Sequence, residues 1–197
     1  MTEPAPDATS HTMHLPRFFV RQKITMMVNR FEIYAADPAT GAQGQLMAFA
    51  EQKRFAFKEQ VTFFEDASKT RPVFGFKARQ VIDLNAGYDI TDEVGAPLGF
   101  FKKDFAQSLL QTTFHVEGPG YAGSGKERSL VFALLRRFGD LPVPVHFDYV
   151  DHTGAPLLSI TRKFALRDQY DVQVADPRVD FRVAAAIAVG MDVLMAR

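Results

Sequence analysis

The C-terminal segment RVAAAIAVGMDVLMAR, residues 182–197, constrains the fold of this chain more than any other stretch. Within it, residues 183–191 are apolar on every side of a helix, and a helix of that kind must be buried. Nine residues rise only about 14 Å, under half of a bilayer's hydrocarbon core. The charged residues in and around the run are Arg178, Asp180, Arg182 and Asp192. Each would cost about 2.5 to 3.5 kcal/mol at the centre of a membrane span, so we expect a helix buried inside a protein domain.

The helix has recognisable start signals and an unusually thin body. Asp176 suits the N-cap and Pro177 suits the first helical position. No helix-stopping residue follows before Ala196, so the sequence predicts a helix over about 177–196. Its small residues are Ala184, Ala185, Ala186, Ala188 and Gly190. A helix enclosed by a sheet needs such a narrow cross-section.

Upstream of the helix, short runs rich in β-branched and aromatic residues alternate with turn signals such as DPATGAQG, DEVGAP and DHTGAP. In residues 54–64, Phe55, Phe57, Val61 and Phe63 share one strand face. Runs at this spacing predict about a dozen antiparallel strands in a meander. About eight strands would be filled by side chains alone, whereas a wider barrel encloses more. We therefore predict a mainly β fold, a closed antiparallel β-barrel of about 12 strands around the C-terminal helix.

An internal repeat supports hairpins as the building unit. Residues 88–105, YDITDEVGAPLGFFKKDF, align with residues 147–164, FDYVDHTGAPLLSITRKF, at a constant offset of 59. Both copies carry an Asp-x-x-Gly turn, in which the Asp can bond the turn backbone and the Gly can adopt a positive φ. Residues 31–46 form a looser third copy with a longer turn.

Composition limits the domain count and the partners. A chain of 197 residues with 47% hydrophobic content suits one domain, predicted over 16–197 after a disordered Pro- and Ser-containing tail over 1–15. Lys+Arg and Asp+Glu balance at 23 each, so no global field favours nucleic acid. The lack of cysteine excludes disulfides and thiolate chemistry, and the N-terminus lacks a signal-peptide pattern. We expect a cytoplasmic monomer.

Other motifs carry no catalytic prediction. The stretch GYAGSGKE, residues 120–127, imitates a phosphate-binding loop, but Glu127 replaces the magnesium-binding hydroxyl, so we predict a flexible Gly-rich loop. Residues 126–139 predict an amphipathic helix. His146, Asp148 and His152 have the even spacing of zinc ligands, but no fourth ligand follows, which favours a hydrogen-bonded hairpin. We expect no metal, no cofactor and no enzyme activity.

Four segments resemble a known superfamily. They are QKRFAFKEQVTFF, FKARQVIDLNAGYDITDEVGAPLGFFKKDFAQSLL, HFDYVDHTGAPLLSITRKFALRDQYDV and VDFRVAAAIAVGMDVLMAR. The sequence resembles the bacterial LURP-one-related and phospholipid scramblase-related proteins of the tubby-like superfamily, over most of residues 18–197. The resemblance implies a barrel threaded by a C-terminal helix, with lipid as a ligand class. The calcium-binding segment of scramblases has no match in residues 170–181, because Asp171, Asp176 and Asp180 lack its spacing.

Local basic clusters are the candidate lipid contacts. They are Lys53, Arg54 and Lys58, then Lys77 and Arg79, then Lys102 and Lys103, and then Arg162 and Lys163 at the equivalent place in the second repeat. If they converge on one face of the barrel, they could neutralise phosphates. The leading hypothesis is a non-enzymatic protein that binds anionic phospholipid peripherally at a membrane. The alternatives are scramblase-like lipid translocation and a structural or protein-interaction role without lipid.

Overall fold

Twelve strands and one helix make up the part of the chain that the structure describes. The structure is a computed structural model that describes residues 12–24, 28–53, 60–79, 87–104, 113–128, 145–163 and 169–195. The first six strands are β1 (Arg17–Ile24), β2 (Val28–Ala36), β3 (Gln43–Lys53), β4 (Gln60–Phe64), β5 (Pro72–Ala78) and β6 (Tyr88–Asp92). The others are β7 (Pro97–Asp104), β8 (Thr113–Gly118), β9 (Tyr121–Glu127), β10 (Val145–Asp151), β11 (Pro156–Lys163) and β12 (Gln169–Val174), followed by the helix α1 (Phe181–Met195).

Each strand pairs antiparallel with its neighbours in the chain, and β1 pairs with β12 to close the sheet. The predicted closed barrel with a C-terminal helix is therefore confirmed. Up-and-down topology gives the barrel two distinct ends. The turn end carries the hairpin turns 37–42, 65–71, 93–96, 119–120 and 152–155, as well as the start of α1. The far end is where the odd-numbered strands finish, at residues 24, 53, 78, 104, 127 and 163.

The helix occupies the interior of the barrel. All residues from Phe181 to Asp192 are buried. Large side chains of the strands surround them, among them Phe18, Phe31, Phe63, Phe74, Phe76, Phe101, Phe114, Phe147 and Tyr149. The fit is close, since a Cβ placed on Gly190 would lie 2.5 Å from Cζ of Phe101. Small residues on the helix therefore match large residues on the wall.

A charge placed in the middle of α1 tests this enclosure. Ala186 is fully buried, so Ala186→Asp leaves a carboxylate in an apolar interior. The penalty of several kcal/mol takes most of a typical stability of about 5 to 15 kcal/mol. We expect the variant to be recovered unfolded or insoluble, as measured by circular dichroism and size-exclusion chromatography. Ala39→Asp, at an exposed turn position, is the control and should fold. A folded Ala186→Asp protein would contradict the enclosed position.

The helix begins four residues later than predicted, at Phe181 instead of Pro177. Asp176 does not cap it, because its carboxylate binds the backbone N–H and the guanidinium of Arg178 in a preceding turn. Asp180 is the N-cap: its backbone carbonyl accepts from Val183 and Ala184, and its side chain accepts from the Arg182 N–H at 2.8 Å. The intervening turn lets Val179 pack into the core before the helix starts.

Asp180 and Arg182 form a buried ion pair at 2.8 Å, with side chains only 7% and 11% exposed. The hydrogen bonds and charge of Asp180 raise the pKa of Arg182, although burial opposes this. Asp180 also accepts a hydrogen bond from the backbone N–H of Met13 at 2.9 Å. One carboxylate thus joins the helix start, its arginine and the N-terminal segment.

Removing this carboxylate leaves a buried guanidinium without its counter-charge. We expect Asp180→Ala to lower the free energy of unfolding by about 3 to 5 kcal/mol, measured by urea denaturation. The double variant Asp180→Ala/Arg182→Met should recover part of the loss, because the methionine fills similar space without a charge. A double variant no more stable than Asp180→Ala would contradict the pairing as the cause.

The repeated hairpins have the predicted turn chemistry. Asp92 accepts from Val94 and Ala96, while Asp151 accepts from Thr153 and Ala155. Gly95 and Gly154 have φ values of +87° and +88°. Both hairpins also shift register at equivalent positions, between residues 90 and 91 and between 149 and 150. The looser copy has the same turn chemistry: Asp37 accepts a hydrogen bond from the backbone N–H of Ala39, and Gly41 has a φ of +67°.

Two expectations for residues 120–139 differ from the structure. Residues 121–127 form the strand β9 and not a flexible loop. Its Gly123 and Gly125 leave room for neighbouring side chains, since a Cβ on either would lie 2.5 Å from Leu157 or Tyr149. Lys126 and Glu127 consequently belong to a strand and not to the amphipathic helix predicted over 126–139, whose residues 129–139 lie outside the described ranges.

The N-terminal segment predicted as tail includes ordered residues. Residues 1–11 lie outside the described ranges, but Met13 bonds Asp180 and accepts from the N–H of Phe181 at 2.8 Å. Leu15 packs against the core. Residues 13–16 therefore cross the turn end of the barrel and contact the start of α1 and β12.

Candidate functional site

The predicted basic clusters lie on strands that finish at the same end of the barrel. Lys53 is the last residue of β3, and Lys77 is the penultimate residue of β5. Lys102 and Lys103 are the two residues before the last residue of β7, and Arg162 and Lys163 are the last two residues of β11. All four strands run from the turn end to the far end, because alternate strands of an antiparallel barrel are parallel. Arg54 and Lys58 lie outside the described residues.

Strand alternation separates the two members of each consecutive pair. Lys102 lies on the outer face and is exposed, whereas Lys103 shares the inward phase of Phe101 and is half-buried. Lys163 is also on the outer face, with 62% of its side chain exposed. The two members of each consecutive pair therefore lie on different faces, because successive side chains of a strand point to opposite faces.

Arg162 points into the barrel and lies close to a buried carboxylate. Its guanidinium lies 3.8 Å from Asp192 of α1 and 5.6 Å from the centre of the Tyr170 ring. Asp192 also accepts from the Gln22 amide at 2.6 Å and from the Tyr170 hydroxyl at 2.5 Å. These contacts satisfy the charge in the second half of the helix. Arg162 therefore contacts Asp192 and Tyr170 in the barrel interior, and it does not point to the outer surface.

Arg79 is exposed but engaged by its neighbours. It donates to both carboxylate oxygens of Asp89 at 2.7 to 3.0 Å, and its guanidinium lies 3.9 Å from the centre of the Phe100 ring. Its hydrogen bonds to the Asp89 carboxylate raise the pKa of Arg79. Its charge is thus balanced locally, which leaves Lys77 as the exposed cation of this cluster without an ion pair among the described residues.

Lys163 has one acidic neighbour, Asp171, at 3.6 Å. Asp171 is mainly the partner of Arg17, whose guanidinium donates to both of its oxygens at 2.7 and 3.0 Å. Burial raises the pKa of Asp171, but the Arg17 hydrogen bonds and charge, helped by Lys163, outweigh it and leave that pKa below its usual range.

This lowered pKa predicts an acid-dependent loss of stability. A carboxylate with a depressed folded-state pKa stabilises the fold above its unfolded pKa, and the contribution is lost as the pH falls through the folded pKa. We expect Asp171→Asn to be less stable than the wild type at pH 7 and the difference to be smaller near pH 2, measured by urea unfolding at both pH values. An equal difference at both pH values would contradict the ion pair as the source.

Two further lysines, which the sequence clusters did not include, occupy equivalent positions. Lys23 is the penultimate residue of β1, and Lys126 is the penultimate residue of β9; both are exposed on the outer face. Neither is directly adjacent in sequence to another basic residue, so a search for consecutive basic pairs misses them. The signal that finds them is strand phase, since Gln22 and Gly125 beside them are buried.

His146 and Asp148 form a polar ladder on the outer face of β10. His146 bonds Asp148 at 2.9 Å and the Thr161 hydroxyl at 2.7 Å, and Asp148 also accepts from Arg128. Burial raises the pKa of Asp148, but the hydrogen bonds from Arg128 and His146 outweigh it and lower that pKa. This arrangement supports the predicted hydrogen-bonded hairpin.

The same residues do not assemble a metal or catalytic centre. His152 lies in the turn at the other end of β10, about 20 Å from His146 along an extended strand. Among the described residues, no group of three His, Asp or Glu side chains is placed to hold a metal ion. The hydroxyl, imidazole and carboxylate of Thr161, His146 and Asp148 could relay a proton. However, the surrounding strand amides are paired in the ladders, so they offer no oxyanion site.

The described part of the chain contains no helix with the length and apolarity to cross a bilayer. The carboxylates of the N-cap Asp180 and of Asp192 in α1 accept hydrogen bonds inside the barrel.

A closed antiparallel barrel with an apolar helix along its axis defines the tubby-like class of folds, which is generally non-catalytic. Residues 46–192 match the sequence profile of the family described as LURP-one-related. The match spans about three quarters of the chain, and the chain belongs to this family, within the tubby-like superfamily.

Two other comparisons add no functional information. No curated protein matches the chain. One solved structure with some likeness is a porin-like protein from Bacteroides uniformis ATCC 8492, 8% identical, with a TM-score of 0.23 over 83% of this chain and 97% of that chain. A likeness at that TM-score carries no argument about fold or function.

Proposed function

We propose that this chain is a non-enzymatic binding module that associates peripherally with anionic phospholipid surfaces. The observation that carries the proposal is the placement of exposed lysines at one end of the barrel. Lys77, Lys102 and Lys163 are on the outer face near the ends of strands that finish at the far end. Lysine at such positions can approach phosphate groups without disturbing the core.

The expected affinity is modest and depends on salt. Each lysine near an anionic membrane contributes about 1 kcal/mol, and the attraction falls off within a Debye length of about 8 to 10 Å. A few lysines therefore support reversible binding, which suits a peripheral protein at the anionic cytoplasmic leaflet. A non-catalytic role is supported by the class of fold, which is generally non-catalytic.

Vesicle flotation tests the proposal directly. We expect the protein to float with phosphatidylcholine vesicles that contain about a third phosphatidylserine, and not with phosphatidylcholine alone. The bound fraction should fall as salt is raised from about 0.05 to 0.15 M. The variant Lys77→Glu/Lys102→Glu should bind several-fold more weakly. Arg71→Glu is a single charge reversal at the turn end, where Arg71 is 77% exposed, and should bind as the wild type does.

Flotation that is independent of anionic lipid, or absent at both salt concentrations, would overturn the proposal. That result would favour the alternative role as a structural or protein-interaction module. Lipid translocation is not proposed, because the apolar residues 183–191 of α1 are enclosed by the barrel wall.

A further inference from the structure

A groove of about 380 Å³ lies on the outer wall of the barrel, where β4, β5 and β6 run side by side. It is separate from the interior that α1 fills. The lining includes two cations, one carboxylate and uncharged polar side chains around a glycine. These residues are Gln60, Gly75, Lys77, Arg79, Asp89 and Thr91.

The groove is open because the central strand carries no side chain at Gly75. A Cβ placed there would lie 2.9 Å from the carbonyl oxygen of Val61, so the backbone itself forms the floor. Gly75 pairs with Thr62 of β4 on one side and with Thr91 of β6 on the other. Both threonines are on the outer face, since the residues before them in sequence, Val61 and Ile90, are buried. Two short hydroxyl side chains therefore flank the bare floor.

These hydroxyls are available to a ligand. Among the described residues, neither the Thr62 nor the Thr91 side chain forms a hydrogen bond. Positions two strands apart in a sheet are about 10 Å from each other. A small anion lying over Gly75 is therefore within reach of both hydroxyls, and each can donate one hydrogen bond to it.

The next positions along the same three strands supply positive charge. Lys77 lies between Gln60 of β4 and Asp89 of β6, is exposed, and forms no ion pair among the described residues. The Asp89 carboxylate also lines the groove, but Arg79 donates three hydrogen bonds to it at 2.7 to 3.0 Å. Because Arg79 balances the only carboxylate among the described lining residues, the charge of Lys77 is left in excess.

The second repeat lacks this arrangement, although it has the same framework. Arg128 and Asp148 repeat the arginine–aspartate pair. The position equivalent to Gly75 is Ser124, which pairs with His115 and Val150. Side chains thus occupy all three positions, and the two flanking hydroxyls are replaced by an imidazole and an apolar group. The bare floor between two threonines belongs to the first repeat.

We propose that the groove over Gly75 binds a phosphate monoester, with Thr62, Thr91 and Lys77 as its donors. A phosphate monoester carries a charge of about −1.5 to −2 at pH 7 and has three strong acceptor oxygens, one for each donor. A diester has a single charge and only two free oxygens, so it is the weaker ligand. This inference deepens the proposed function and rests on it only for a lipid as the source of the phosphate.

A soluble probe tests the groove without a membrane. In a titration of the full chain with glycerol 3-phosphate, we expect the amide resonance of Gly75 to shift in ¹⁵N–¹H spectra. The diester glycerophosphoglycerol should bind several-fold more weakly. Thr62→Val and Thr91→Val keep the side-chain shape and remove the hydroxyl, so each should weaken monoester binding by about fivefold. Ser124→Ala, at the equivalent position of the second repeat, is the control and should bind as the wild type does.

The spectra also verify that each variant is folded. Binding that leaves Gly75 unshifted, or that is unchanged in both threonine variants, would overturn the groove as the site. If glycerol 3-phosphate does not bind while phosphatidylserine vesicles still float the protein, this inference fails and the proposed function stands. If glycerol 3-phosphate binds but no anionic vesicle does, the proposed function fails and the groove stands.

Vesicles of matched surface charge identify the source of the phosphate. Phosphatidic acid presents a phosphate monoester, whereas the phosphate of phosphatidylserine is a diester. We expect stronger flotation with phosphatidic acid, reduced about fivefold in Thr91→Val, if the ligand is a lipid. Equal flotation with both lipids, together with binding of glycerol 3-phosphate, would assign the groove to a soluble phosphate monoester.

Discussion

The burial of an all-apolar helix is the interaction on which the rest of the structure depends. A barrel of twelve strands is too wide to be filled by its own side chains, and the segment 183–191 is too apolar to meet water. Each therefore satisfies the requirement of the other. The contact between Gly190 and Phe101 shows how close the fit is, since one added methyl group would collide with the ring.

Two polar clusters fix the position of this helix along the barrel axis. At the turn end, Asp180 joins Arg182 and the backbone of Met13. At the far end, Asp192 accepts hydrogen bonds from Gln22 and Tyr170. A shift of one helical turn would leave both carboxylates buried and unpaired, so a slipped register is disfavoured. The helix and these two clusters fill the interior of the barrel, so the proposed binding can use only the outer surface and the barrel ends.

Local patterns predicted much of this fold. The sequence predicted the Asp92-x-x-Gly95 and Asp151-x-x-Gly154 turns, because each turn depends on nearby residues. It also predicted the closed barrel and the enclosed helix, because both depend on the pattern of apolar residues. The start of α1 was not, because Asp176 and Asp180 are both good caps and only the tertiary contact with Met13 and the burial of Arg182 distinguish them. Gly123 and Gly125 favoured a loop from the sequence alone, whereas in the strand they leave room for Leu157 and Tyr149, which are distant in sequence.

For the candidate site, two basic residues that are adjacent in sequence do not share a face of the barrel, because Arg162 and Lys163 point in opposite directions. Strand phase identified Lys23 and Lys126.

The central claim is that helix and barrel form one cooperative unit, and native-state hydrogen exchange measures this most directly. We predict that the amides of residues 185–191 exchange only through global unfolding, with the same free energy as urea denaturation gives for the whole protein. Exchange of these amides at a much lower free energy, while the strand amides remain protected, would show that the helix leaves an intact barrel and would contradict the account.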